Sequence, residues 1–289
     1  MHTVRSTTGR PSARVLLLAA VALIFVGCST RRLLYQLGPT LVLHEVDEAL
    51  ELEPQQKEMA RVRLRALFAW HRREELPVYG QRLDELRRRI ADGVSREDLT
   101  WVRSTVEELI GRFGRHVAPE MGTFLATLQP SQLDHFEQTV AKRSQKHKDL
   151  LDLPAEEYVD KRSREAEKTM SRWAGPLEPA QTELIRAFVR RTRDAALVRR
   201  AVEERRYKDF MALLRRHQSA ETIRDAILAR LTPGEPDLTP AERVTTTRVE
   251  AEFEELTMAL DRAATPAQRH RLDGELASIH EDIVGLLQP

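Results

Sequence analysis

The chain has 289 residues, 41% of them hydrophobic and 31% charged, with 46 basic against 45 acidic side chains. Such a length and polarity allow a buried core and exclude a series of membrane spans, and a net charge of +1 singles out no polyanionic partner. The one cysteine excludes intrachain disulfides and thiolate metal clusters, so packing has to supply stability.

Arg5, Arg10 and Arg14 lead into an apolar run from Val15 to Cys28, a positive n-region followed by a core of signal-peptide length. About a dozen helical residues at ~1.5 Å each reach ~18 Å, short of a ~30 Å hydrocarbon layer, so the run is a poor permanent span. Ala20-Val21-Ala22 offers a second, small-x-small cleavage point, but cutting there would leave Leu23-Ile24-Phe25-Val26 exposed. The segment Phe25-Val26-Gly27-Cys28 resembles the bacterial lipobox, with Gly27 as the small residue before the cysteine and Phe25 where that pattern usually has leucine. The resemblance implies a signal peptide over residues 1–27 and a diacylglycerol plus an amide-linked acyl chain on Cys28, with no other cofactor. Each buried methylene of those chains would hold the protein to a membrane by ~0.8 kcal/mol. Ser29, in place of an inner-membrane-retaining aspartate, implies sorting to the outer membrane with the body facing the periplasm, where no nucleic-acid partner is expected. An uncleaved N-terminal anchor is the alternative. Residues 1–27 hold three of the basic residues and no acid, so the remainder carries 43 against 45.

Residues 28–50 are expected to form a lipidated cysteine, a tether of a few polar residues, and a brief helix broken at Gly38-Pro39 that lies near the lipid or caps the body. A main helical domain follows over 51–231. Within it and beyond, one small pattern recurs: Leu52-Glu53-Pro54-Gln55-Gln56, Leu128-Gln129-Pro130-Ser131-Gln132, Leu177-Glu178-Pro179-Ala180-Gln181, Leu238-Thr239-Pro240-Ala241-Glu242 and Ala264-Thr265-Pro266-Ala267-Gln268. Proline loses no needed hydrogen bond at a first helical position, and Gln or Glu two residues later can reach back to the cap, so each copy predicts a helix start. Their irregular spacing argues against a solenoid.

Between the starts apolar residues keep helical spacing, as in Leu99, Val102, Val106, Leu109 and Phe113, and no useful stretch alternates with period two. The fold class is all-α, an elongated irregular helical array rather than a four-helix bundle. Lys142 to Lys168 has so narrow an apolar stripe that it is expected to project on one edge, to support itself by i,i+4 ion pairs, or to pair with another subunit. Pro233 to Pro240 reads as a linker to a C-terminal helical hairpin, 241–289, that packs back or mediates association, including homo-oligomerisation.

The densest pattern is Trp70-His71-Arg72-Arg73-Glu74-Glu75-Leu76-Pro77-Val78-Tyr79, with Pro77 expected to kink or split its helix. This run, Arg32-Leu33-Leu34-Tyr35 after the cysteine, the Leu-x-Pro-x-Gln starts and Arg172-Trp173-Ala174-Gly175-Pro176-Leu177 resemble an uncharacterised family of Gram-negative helical lipoproteins, the domain of unknown function 6279. The likeness runs from about Cys28 to Ile223 and carries over no activity. A slighter resemblance, confined to the helix starts, is to Spy- and CpxP-type periplasmic proteins, which present a basic, partly apolar face to unfolded clients. Arg186 to His217 offers something comparable, with Arg199, Arg200, Arg205 and Arg206 interleaved with Phe188, Phe210, Leu213 and Leu214. A solvated basic helix with its stripe in the core is the plainer reading.

His71 and Glu75, one turn apart, could supply two zinc ligands, but two do not make a site; a histidine stacked near Trp70 and paired with Glu74 or Glu75 is the simpler expectation. No Gly-rich phosphate loop or nucleophile elbow is present. The sequence therefore predicts a membrane-tethered, non-catalytic binding lipoprotein, a scaffold or adaptor with a protein partner. A chaperone-like binder is the alternative and a metal-dependent hydrolase the last choice. Trp70, His71, Glu75, Tyr79 and Trp173 are the first candidate binding residues, with the four arginines as a second group.

Overall fold

Residues 28–231 and 237–288 are described by the computed structural model, so the expected signal sequence and Pro233, Gly234 and Pro236 of the expected linker lie outside the described residues, as does the Cys28 side chain. Among the described residues every regular element is helical, and the protein is all-α. In chain order these are α1 (Cys28–Leu50), α2 (Pro54–Trp70), a π-turn (His71–Glu75), α3 (Leu76–Arg89), α4 (Arg96–Leu125), α5 (Pro130–Leu151), α6 (Ala155–Ala174), α7 (Pro179–Arg191), α8 (Arg193–Arg215), α9 (Ala220–Leu231), α10 (Pro240–Arg262) and α11 (Pro266–Leu287).

All five proline-led motifs begin helices, and the side chain two residues after each proline accepts the N–H of the cap residue at 2.9–3.0 Å. Four of the five do more than cap. Gln56 and Gln132 are buried and bond each other reciprocally, each amide Nε2 donating to the other's Oε1 at 3.0 and 2.8 Å. Their remaining N–H groups reach the carbonyls of Thr127 and Leu50 at 3.0 and 3.1 Å. Gln181 and Gln268 repeat the arrangement at 2.9 Å in both directions, with Ala263 and Pro176 as carbonyl acceptors. The starts of α2 and α5, and those of α7 and α11, are thereby pinned together with each amide satisfied. Glu242, the fifth, instead takes the Arg205 guanidinium at 2.7 and 2.9 Å and ties α10 to α8.

The core is divided into three clusters. One, around Ala118, Leu133 and Ile223, joins α4, α5, α8 and α9 to the end of α1 at Leu50. A second, around Val159 and Ile185, joins α6 and α7 to Leu256 and Leu260 of α10. The third packs Leu76 of α3 on Ile279, Ile283 and Leu286 of α11. Helices α4 and α9 touch at Gly122, where a Cβ would run into the Ala220 carbonyl oxygen; only glycine permits that approach.

Two expectations change, and one of two alternatives is met. Gly38-Pro39 does not break α1, which starts at Cys28 with no separate tether and continues through Pro39 to Leu50. Gly38 lies directly against the Phe68 ring, and burial of Leu43 and Leu50 outweighs the hydrogen bond that Pro39 removes. The charged stretch from Lys142 does not project throughout: α5 ends at the buried Leu151, and α6 sets Tyr158 and Val159 into the second cluster and buries Ser163, so a narrow stripe suffices. The C-terminal helices pack back on the body, α10 in the second cluster and α11 in the third.

Candidate functional site

Pro77 is accommodated without a break. Its ring would collide with the carbonyl four residues back in a regular helix. The turn ahead of it widens by one residue, and the Leu76 N–H bonds the His71 carbonyl, five residues away. The extra residue directs both His71 and Glu75 inward, leaving them 6% and 1% exposed.

The His71 Nδ1 shares a hydrogen bond of 2.9 Å with the hydroxyl of Tyr35 on α1, and that hydroxyl is also 3.3 Å from the Phe68 carbonyl. The other ring nitrogen, Nε2, is buried with no hydrogen-bond partner among the described residues. Tyr79 meets the His71 ring edge-on at 5.3 Å and Phe113 does so at 6.3 Å. Burial in this apolar shell pushes the His71 imidazole down to about 4, so it is neutral at physiological pH. The same burial raises both tyrosine hydroxyls above their ordinary value, with the Glu75 charge adding to the rise at Tyr79.

Glu75, one turn further on, is held by Arg112 of α4, whose Nη2 donates to Oε1 at 3.0 Å and whose Nε lies at 3.3 Å. That bond raises the Arg112 guanidinium above its usual value. Trp70 stacks on His116 of α4 at 3.6 Å with the planes 7° apart, and burial lowers the His116 pKa, opposed by the charges of Glu120 and Glu75. The expected stacking of His71 on Trp70 and its pairing with Glu74 or Glu75 are thus replaced. Trp70 and His71 meet only edge to face at 6.5 Å, and Glu74 bonds Arg73.

Two further contacts close this joint. Arg32 of α1 crosses Gly285 and donates to Asp282 at 3.2 Å and to the Glu281 carbonyl at 3.0 Å. Arg72 donates to the Gln288 carbonyl at 2.6 Å. Tyr35, Tyr79 and Trp173 all pack on the third cluster, so of the first group of sequence candidates Tyr79 and Trp173 join His71 where α1, the π-turn and α11 meet, while Trp70 and Glu75 engage α4. Arg112, Phe113, His116 and Asp282 belong to it and were not singled out by sequence. The one available signal was the i, i+4 spacing of Arg112 and His116 about Phe113.

The second group does not gather. Arg199 is exposed on α8. Arg200 bonds Asp152 and Glu204, Arg205 bonds Glu242, and Arg206 grips both Asp237 oxygens at 2.6 Å. Phe210, Leu213 and Leu214 pack in the first cluster and Phe188 in the second. Among the described residues no three His, Cys, Asp or Glu side chains converge as a metal site, and no helix is long and apolar enough to cross a membrane.

The fold and joint define a protein, all-helical over the described residues, whose first described helix is bound to its body through a partly buried Tyr-His contact. The chain belongs to a family of unknown function, DUF6279, which matches residues 48–235. No curated protein and no solved structure matches it. The matched stretch contains His71, Glu75, Tyr79 and Arg112, whereas Tyr35 and Asp282 lie on either side of it.

Proposed function

We propose that the protein is a lipid-anchored scaffold or adaptor of the cell envelope, held by acyl chains on Cys28 and presenting its helical body to a protein partner in the periplasm. The observation that carries this reading is the absence of slack after Cys28. From Cys28 onward the described chain is helical, and α1 is bonded to the body at Arg32 and Tyr35, within two turns of that residue. An anchor joined in this way would set the orientation of the body at the membrane as well as its location, which suits a scaffold better than a freely swivelling binder. A chaperone-like role draws less support, because Arg200, Arg205 and Arg206 are engaged by carboxylates and the apolar residues between them are packed. A zinc hydrolase draws least, since among the described residues no third ligand joins His71 and Glu75, and Glu75 is held by Arg112.

Metabolic palmitate labelling and in-cell crosslinking test the proposal together. Label that follows Cys28 and disappears in Cys28→Ser, with one or a few crosslinked proteins lost in the same variant, is the expected result. A Cys28→Ser protein that stays membrane-bound with unchanged crosslinks would overturn it.

A further inference from the structure

The half of α1 nearest Cys28 has a face that the body does not use. Leu33, Leu37 and Leu41, four residues apart and therefore aligned on one side of the helix, are 54%, 45% and 43% exposed. Tyr35 and Leu43 point the other way, into the joint and the core. The apolar stripe ends abruptly, because one turn further on Glu45 and Glu48 take over the outer side and pair with Arg143 of α5 at 3.3 and 3.4 Å. At ~1.5 Å per residue the stripe runs from about 7 to about 20 Å from Cys28 along the helix axis.

We propose that this face lies in the membrane surface, with Leu33, Leu37 and Leu41 sunk to the boundary between headgroups and acyl chains, so that α1 lies along the bilayer. The inference rests on lipidation of Cys28 and deepens that reading by giving the body a fixed pose. Two features select lipid over a second copy of the chain or another protein. The stripe begins within two turns of the residue that would carry the acyl chains, so the bilayer would be its nearest apolar phase at very high effective concentration. Charge agrees: no acidic residue occurs anywhere before Glu45 and Arg32 is matched to Asp282, so nothing on this segment repels anionic headgroups, and Arg31 adds a cation to it. Three leucines on one face are too few to bind a bilayer alone, but they can choose which side of an already tethered helix faces it.

The test uses the acylated protein reconstituted in phosphatidylethanolamine–phosphatidylglycerol vesicles. Acylation occupies the single native thiol, so Leu37→Cys and, as the reference, Val244→Cys on the exposed side of α10, which does not pack on α1, each carry one environment-sensitive fluorophore. The expected result is a blue-shifted emission at position 37, quenched by spin-labelled lipid at least about twofold more than at position 244. Equal quenching at the two positions overturns the inference, as does label-to-label quenching at position 37 that depends on protein density, which would assign the stripe to a second copy. The mass of the N-terminal peptide is read on the same sample. An unacylated peptide removes the anchor itself, whereas an acylated one without the quenching contrast removes only the pose of α1.

Discussion

Acidification should weaken the fold through His71, and the size of the effect can be worked from its surroundings. In an unfolded chain histidine titrates near 6.5, whereas burial holds the folded His71 down to about 4. Above pH 6.5 both states are neutral and the residue contributes no pH dependence. As the pH falls from 6.5 towards 4 the unfolded chain takes up a proton that the folded one refuses, so stability drops across that window and levels off below it. The gap is worth about 3 kcal/mol, with little discount for solvent because the ring is only 6% exposed. Carboxylates in the many surface ion pairs also titrate as the pH falls, so the comparison that isolates His71 is with His71→Phe, which fills a similar space and cannot ionise. Urea unfolding of a chain that starts at residue 28 and carries Cys28→Ser, repeated across the window, should show the protein with His71 losing about 3 kcal/mol more than His71→Phe between neutral pH and the acid end. Amide exchange in α1, which loses its Tyr35 contact if the joint opens, should rise in parallel. Parallel stability profiles for the two proteins would refute the assignment of a buried neutral imidazole.

Gln181→Leu should cost about 2–3 kcal/mol, because it strands the Gln268 amide together with the Glu178 N–H and the Ala263 carbonyl. The double variant Gln181→Leu/Gln268→Leu should cost less than the sum of the two single changes by about 1 kcal/mol, and strict additivity in urea unfolding would deny the reciprocal pair. Arg112→Ala should destabilise by about 3 kcal/mol, since it leaves the Glu75 carboxylate buried and alone. Glu75→Gln should cost only about 1 kcal/mol, because the Arg112 side chain is 37% exposed and can hydrate; equal losses would contradict this asymmetry. Gly122→Ala should lower stability by about 2 kcal/mol or more by forcing α9 away from α4, seen as an earlier thermal midpoint.

The helices themselves were legible because a period near 3.6 and proline-led starts are local signals, and the five motifs fall at helix starts. What those motifs face was not legible. Gln56 finds its partner 76 residues away and Gln181 finds its partner 87 away, and nothing in either motif names the other. Local rules failed at Pro39 for the opposite reason: a breaker was read correctly as a local cost, but Leu43, Leu50 and the Phe68 contact supply a tertiary gain that no window of sequence displays. The importance of Trp70 to Tyr79 was visible as density of unusual residues, yet their pairings were not. Spacing of four implies one helical face, and the π-turn ahead of Pro77 sends His71 to Tyr35 and Glu75 to Arg112 instead. The arginines of α8 suggested a face from charge alone, and only the fold could bring Asp152, Asp237 and Glu242 against them.

The residue at the third helical position of each proline-led start follows a simple rule once its partner is known. A reciprocal pair requires each member both to donate and to accept, which an amide can do and an ionised carboxylate cannot. Where two starts face each other, at α2 with α5 and at α7 with α11, both positions are glutamine; glutamates would set two buried like charges together. Where a start faces a cation, as α10 faces Arg205, the position is glutamate. Capping alone accepts either residue, so the choice between Gln and Glu reflects tertiary pairing and not helix formation. The consequence reaches the joint. The Gln181–Gln268 pair fixes where α11 begins, and α11 carries Asp282 to Arg32 and Ile283 to the cluster beneath Tyr35. The attachment of α1 to the body therefore depends on an amide pair far from it in sequence, and the segments on either side of the family's matched region are held in register by a residue within it.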